Sequence, residues 1–228
     1  MRIRGYCREL MENEGARQTV LSDEYLRTHT VGKLKPLSEP IVLVDYDSQW
    51  PETFRKEAEK IRSALGQRVL KLEHVGSTSV PYLLAKPIID IVLVVAESAD
   101  ETKYTRALEK AGYQLRIREP GWYEHRMFHG PENRMNLHVF SEGCPEIDRM
   151  LRFRDWLRVN KADRELYARS KRALAQQHWK YTQNYADAKT TVIKEIMARA
   201  GQGITPQSQA GELNRFRETD NRITRCSD

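Results

Sequence analysis

Apolar positions along this chain follow two rhythms, and the change comes near Pro145. Before it, short apolar runs are punctuated by Gly and Pro. After it, apolar residues recur at helical spacing alone. Ile41-Val42-Leu43-Val44, bounded by Pro40 and Asp45, predicts a strand. Asp47 and Ser48 supply an N-cap and Pro51 a first-turn proline. Phe54, Ala58, Ile61 and Leu65 then mark one helical face up to a stop at Gly66. Val69 to Val75 predicts a strand with Leu70, Leu72 and His74 on one face, ending in a Gly-Ser-Thr-Ser turn. Pro81 to Pro87 reads as a connection. Ile88 to Val95 reads as a buried, β-branched strand interrupted by Asp90. Asp100 to Ala111 predicts a helix stopped by Gly112, and Tyr113 to Arg118 a strand. Glu124 to His129 and Met135 to Phe140 read as strands joined by Gly130-Pro131-Glu132-Asn133. Beyond Pro145, three apolar groups predict helices as far as Ala200: Ile147, Leu151 and Phe153 to Leu157; Leu166, Tyr167 and Leu174; Val192, Ile193, Ile196 and Met197.

The predicted class is therefore α/β (α+β): a mixed sheet with flanking helices and a helical C-terminal part. Residues 1–40 carry Gly5, Gly15, Gly32, Pro36, Pro40 and one short helix from Ser22 to about His29; they read as an arm lying on the domain or partly disordered. Residues 41–200 form one compact unit, with an α/β core over 41–145 and a helical part over 146–200. Residues 201–228, rich in Gln, Ser, Gly and Arg, read as a disordered tail.

Charge sharpens this division. The 228 residues hold 38 Lys or Arg and 32 Asp or Glu, a net charge of +6. Residues 146–200 hold thirteen basic and seven acidic groups, and the rest of the chain holds twenty-five of each, so the helical part owns the excess. A basic balance suits phosphate-bearing partners; surface solubility is the plainer alternative. Cys7, Cys144 and Cys226 are odd in number and widely spaced, which excludes a disulfide framework or a CxxC metal site. No apolar run reaches membrane-helix length, and Met1 to Glu14 carries no apolar signal core, so a cytoplasmic protein with no membrane partner is expected.

The segment richest in chemistry is Glu73-His74-Val75-Gly76-Ser77-Thr78-Ser79-Val80-Pro81, followed by Lys86-Pro87-Ile88-Ile89-Asp90-Ile91. A glycine after a strand lets phosphate approach the backbone, and hydroxyls with successive N–H groups make an anion nest. A strand carboxylate a dozen residues on can reach back to a divalent metal on that phosphate. Nucleotidyl transfer uses this layout. Asp90 needs a partner, either in such a site or as a structural pair with Lys86 or Arg126. Asn136 and His138 share one face of the later strand. His138 reads either as a hydrogen-bonded core histidine or as a ligand. Glu124, Arg126 and Phe128 share a face, either the polar floor of a cleft with His138 or a solvated hairpin face. Arg154 and Arg158, one helical turn apart, can face phosphates or pair with Asp155. Lys171, Tyr181, Tyr185 and Lys189 fall on spacings that suit the same cleft.

These motifs, with Asn136-Leu137-His138-Val139-Phe140, Phe153-Arg154-Asp155-Trp156-Leu157, Tyr167, Lys171, Tyr185 and Lys189, resemble the signature of the GrpB family over roughly residues 40–200. The resemblance implies a fold similar to polymerase-β-type nucleotidyltransferases: a mixed, nucleotidyltransferase-like sheet with a helical C-terminal part. It also implies a domain that some bacteria fuse to dephospho-CoA kinase, where a folding-accessory role has been proposed. Two departures stand out. Val92 occupies the position two residues after Asp90, where the wider pattern has a second carboxylate, and Tyr82 stands where glycine is usual in the family.

The expectation is a protein that binds a nucleotide or other phosphorylated small molecule, with nucleotidyl or phosphoryl transfer as its reaction class. Asp90 and His138 are the catalytic candidates. Gly76, Ser77, Thr78, Ser79, Lys86, Arg126, Arg154 and Lys189 are the phosphate-binding candidates, and Asp90, His138 and Glu73 would hold Mg²⁺ or Mn²⁺. The alternative is a non-catalytic accessory protein acting on a protein partner, which the missing carboxylate favours. Nucleic-acid binding is disfavoured, because aromatic residues are not interleaved as a stacking platform.

Overall fold

A computed structural model describes residues 21–202. The outer parts of the expected arm and tail, including Cys7 and Cys226, lie outside the described residues. Five strands form one mixed sheet: β1 (Lys71–Val75), β2 (Ile89–Val95), β3 (Gln114–Glu119), β4 (His125–His129) and β5 (Met135–Ser141), in the order β1-β2-β5-β4-β3. Only β2 and β5 are parallel; every other neighbour is antiparallel. The helices are α1 (Asp23–His29), α2 (Trp50–Leu65), α3 (Thr105–Lys110), α4 (Pro145–Val159), α5 (Lys161–Ala175), α6 (Thr182–Ala188) and α7 (Thr190–Gln202). Among the described residues, no helix is long and apolar enough to cross a membrane.

The period of two along each strand sorts side chains onto two faces. Ile89, Ile91, Leu93 and Val95 of β2 join Leu137 and Val139 of β5 and Phe128 of β4 in the main core, packed under Ala58, Ile61 and Leu65 of α2 and Leu108. The opposite face carries Val92, Val94 and Phe140, covered by Cys144 and Ile147 at the start of α4. A third cluster joins Val80, Leu83 and Leu84 to Leu157, Tyr167, Val192 and Ile196, which docks the helical part on the chain between β1 and β2.

Local reading of the sequence meets context at three places. Ile41–Val44 is not a strand: Val44 makes a single antiparallel bridge to Ala85, and strand propensity without a sheet edge to join is not realised. Helix α2 is not capped by Asp47 or Ser48; Gln49 holds the cap position, while Asp47 Oδ1 accepts the Gln49 N–H at 2.8 Å. The helix expected from Asp100 is broken at Tyr104, whose buried ring plugs the core and whose hydroxyl donates to Ser98 O. The described part of the arm lies on the domain. Ser22 caps α1, Thr30 bridges to Ile117 on β3, and Leu37 N–H donates to Lys180 O at 2.8 Å.

Candidate functional site

Strand β1 ends at Val75, opposite Asp90 in the β1–β2 register. The next residue, Gly76, has φ +69, and a Cβ built there would lie 2.2 Å from Asp90 Oδ2. Glycine is required twice over, by the left-handed backbone and by the carboxylate pressed against it. Residues Ser77–Ser79 then form one 3₁₀ turn. Two of its hydroxyls fasten the turn. Ser79 Oγ donates to Gly76 O at 2.6 Å, and Thr78 Oγ1 donates to Ile88 O at 3.2 Å with His74 Nε2 3.1 Å away. The Ser77 hydroxyl instead faces the helical part, where Lys171 Nζ donates to it at 3.0 Å.

On the sheet, Asp90 lies opposite Asn136, whose amide donates to Oδ1 at 2.8 Å. His138, two residues on, brings Nε2 to 3.9 Å from the same oxygen, within ionic reach but beyond a hydrogen bond. Burial raises the Asp90 pKa, and the His138 ring, the Asn136 amide and the Lys189 charge lower it by more, so the carboxyl sits below its ordinary value. Val92 is fully buried among Val75, Val94 and Phe140. Strand β2 therefore offers one carboxylate on this face, and the register sets Glu73 of β1 opposite Val92.

Three lysines lie within electrostatic range of that carboxylate. Lys171 is 2% exposed and also donates to Leu84 O; burial, then the charges of Lys189 and Arg172, lowers its pKa to about 6. Burial and the Lys189 charge likewise lower Lys86, and burial lowers Lys189, with Asp90 opposing both. Lys171 Nζ lies 4.8 Å from the Tyr167 ring centre and Lys189 Nζ 4.8 Å from that of Tyr185. Among the described residues, the Tyr185 hydroxyl is buried without a hydrogen-bond partner.

The sequence-predicted set divides accordingly. Gly76, Ser77, Lys86, Asp90, His138 and Lys189 come together, and Thr78 and Ser79 support the turn. Glu73 shares the Asp90 face but is held by Arg154 Nη1 at 2.8 Å. Arg154 spends its remaining donors on His74 O and Asp155, while Arg158 Nε and Nη2 clamp Ser79 O at 3.1 and 2.9 Å. Arg126 does not join the site. It lies on the α2 side of the sheet with Phe128, ion-paired to Glu101 at 2.6 Å and Glu124 at 3.2 Å. The floor shared with His138 is therefore corrected: the register sets His125, not Arg126, on the His138 face. His125, which sequence reasoning passed over, touches His138 directly, with Nε2 to Nδ1 at 3.1 Å. The signal was the opposite phase of the same alternation, His125, Met127 and His129.

Comparison with known proteins agrees with the motifs. The family model described as GrpB protein matches residues 40–199. A UPF0157 protein of Halalkalibacterium halodurans is 60% identical over 187 residues, 82% of this chain and 96% of its own length. One from Streptomyces coelicolor is 46% identical over 166 residues, 73% of this chain and 87% of its own. The crystal structure of conserved protein GrpB from Enterococcus faecalis superposes with a TM-score of 0.62 at 36% identity, covering 70% of this chain and 96% of that one.

Proposed function

The chain belongs to the GrpB family, and on that premise we propose that its cleft, built on a nucleotidyltransferase-like sheet, binds a nucleotide or other phosphorylated small molecule. One observation carries this reading: Lys86, Lys171 and Lys189 lie within electrostatic range of the carboxylate Asp90, and none has an ion-pair partner within 4.0 Å among the described residues. Desolvated ammonium groups repel one another and are costly to keep charged. A phosphate at the Ser77 turn would stabilise their charged forms and accept hydrogen bonds from them. Lys171 already points at Ser77 Oγ, and the buried Tyr185 hydroxyl is a donor in need of an acceptor.

Nucleotidyl or phosphoryl transfer is the reaction class this layout serves. Two-metal chemistry needs a carboxylate where Val92 stands, so the reading takes one divalent cation, held by Asp90 and His138. Among the described residues no group of three His, Cys, Asp or Glu could hold a metal ion, so such an ion would need substrate oxygens and water for the rest of its shell. An imidazole favours Mn²⁺ over Mg²⁺. When bound, that cation would neutralise phosphate charge; Lys171 and Ser77 would orient the phosphate, and Lys86 and Lys189 would balance its remaining charge.

Thermal melting of the full chain against nucleoside phosphates, CoA-type molecules and sugar phosphates, with and without Mn²⁺ or Mg²⁺, tests the proposal. A ligand at a hundredfold its Kd raises the midpoint by about 5 °C or more. No shift with any of them overturns it. The absent second carboxylate also suits a non-catalytic accessory role, under which Asp90→Asn leaves function intact.

A further inference from the structure

The balanced charge outside residues 146–200 is an average, and on the surface its signs separate. Helices α2 and α3 touch on the face of the sheet that Ile89 and Ile91 enter, so Asp90 and the cleft face the other way. Between them runs an open groove of about 780 Å³. Its cations come from both sides: Lys60 of α2 with Arg68 just after it, and Lys103, Arg106 and Lys110 in and before α3. The rest of the lining is short, with Ala64, Ala107 and Ala111 the only apolar groups. Among the described residues, no acidic and no aromatic side chain lines the groove. Two of the cations are engaged from outside it: Lys60 lies 3.7 Å from Glu57 and Lys103 2.9 Å from Asp100. Arg68, Arg106 and Lys110 are exposed and have no ion-pair partner within 4.0 Å among the described residues. Arg68 is fixed in place, with Nε donating to Leu65 O at 2.7 Å, Nη1 to Lys103 O at 2.6 Å and Nη2 to Ala64 O at 3.0 Å. A guanidinium carries five N–H groups, so two of its donors remain for a ligand.

We infer that this groove is a docking surface for the phosphodiester backbone of a nucleic acid, held by charge and not by base. Concave walls lined with one sign of charge focus a field and attract a polyanion. Protein partners are held by large aromatic or aliphatic anchors in a desolvated centre, and this lining offers only methyl groups. A phosphate chain needs no such anchor. Lys and Arg neutralise it, its counterions leave, and the fork of an Arg meets two phosphate oxygens at once. Aromatic residues are needed to stack bases, not to hold phosphates, so their scarcity along the chain does not bear on backbone contact. Backbone contact carries no sequence information, so the surface takes nucleic acid of any sequence. It lies on the opposite face of the sheet from the cleft and does not depend on what the cleft binds.

Fluorescence anisotropy of the full chain with a labelled oligonucleotide, single-stranded and as a duplex, tests this at rising NaCl concentration. Neutralising three to five phosphates gives log K a slope of about −2 to −4.5 against log salt. Binding of either form supports the inference, with scrambled sequences bound alike. Arg106→Ala with Lys110→Ala is expected to make the slope shallower by about 1.5 to 2. Melting curves show whether that variant is folded; if it is not, Arg106→Gln alone carries the test, with the slope shallower by about 1. Lys161→Ala with Arg169→Ala removes the same charge from α5 and should leave slope and affinity unchanged. No binding at low salt overturns the inference. So does an equal loss in the α5 variant, which would mean diffuse attraction to the whole surface, or a strong preference for one sequence. Polyglutamate bound as tightly as the oligonucleotide would assign the groove to an acidic protein and overturn it too.

Discussion

Asp90 Oδ2 fills the space that any side chain on Gly76 would need, 2.2 Å from where a Cβ would stand. Gly76→Ala would push the carboxylate away or drag the turn with it, at a left-handed φ that alanine also resists. The expected cost is about 2–4 kcal/mol of unfolding free energy, together with loss of phosphorylated-ligand binding. Denaturant melts measure the first. Adding Asp90→Ala to the same chain removes the oxygen and should recover part of the loss, a coupling that a double-mutant cycle reads.

Lys171 should cost the fold stability that its ligand repays. Its pKa is about 6 in the fold and near its ordinary 10.5 when unfolded. Between those values the unfolded chain binds more protons, so stability rises with pH through that window and is lowest below it. Lys171→Met removes the penalty. The variant should melt above the parent at pH 6, with the gap closing towards pH 10, while its nucleotide affinity falls. A gap that is constant or widens with pH would contradict the buried, ligand-free amine.

Arg126 offers the opposite pattern. Its guanidinium is buried against Glu101 on the far face of the sheet. Arg126→Ala leaves Glu101 with Arg118 alone among the described residues and is expected to cost about 3 kcal/mol, with nucleotide affinity unchanged once the protein is folded. Calorimetric titration below the lowered melting point checks both halves of the statement.

Tyr82 is a tyrosine at φ +67, 85% exposed, with its ring near Tyr46 and Arg164. A left-handed tyrosine costs more than a left-handed glycine, and glycine's greater unfolded freedom returns part of the gain. Tyr82→Gly should therefore be neutral or stabilising by up to about 1 kcal/mol. A fall in melting temperature would mean that the exposed ring is held by more than its two neighbours.

The sheet was legible because burial on both faces writes itself into β2 as a continuous apolar run, in which Asp90 is conspicuous. The turn was legible because Gly76 and three hydroxyl residues have few uses after a strand. Helical spacing brought Lys171, Tyr185 and Lys189 to one side, and the structure gathers them near Asp90. Alternation alone does not say which face of a hairpin meets which core. Glu124, Arg126 and Phe128 therefore shared a face in the sequence, and only the pairing of Arg126 with Val139 turned that face towards α2. The same ambiguity hid His125. Ile41–Val44 failed for a different reason, since a strand is a property of its partner as much as of its residues.

The cleft joins distant parts of the chain: Asp90 meets Asn136 forty-six residues on, and Ser77 meets Lys171 ninety-four residues on. A chain made from its N-terminus completes the sheet first, so the carboxylate, the turn and Lys86 exist while Lys171 and Lys189 are still unsynthesised. Two of the three cleft lysines arrive last, with α5 and the α6–α7 junction. Full competence for an anion is thus withheld until α5 and the α6–α7 junction have been made, and a fragment released before them would carry Asp90 with Lys86 alone of the three lysines.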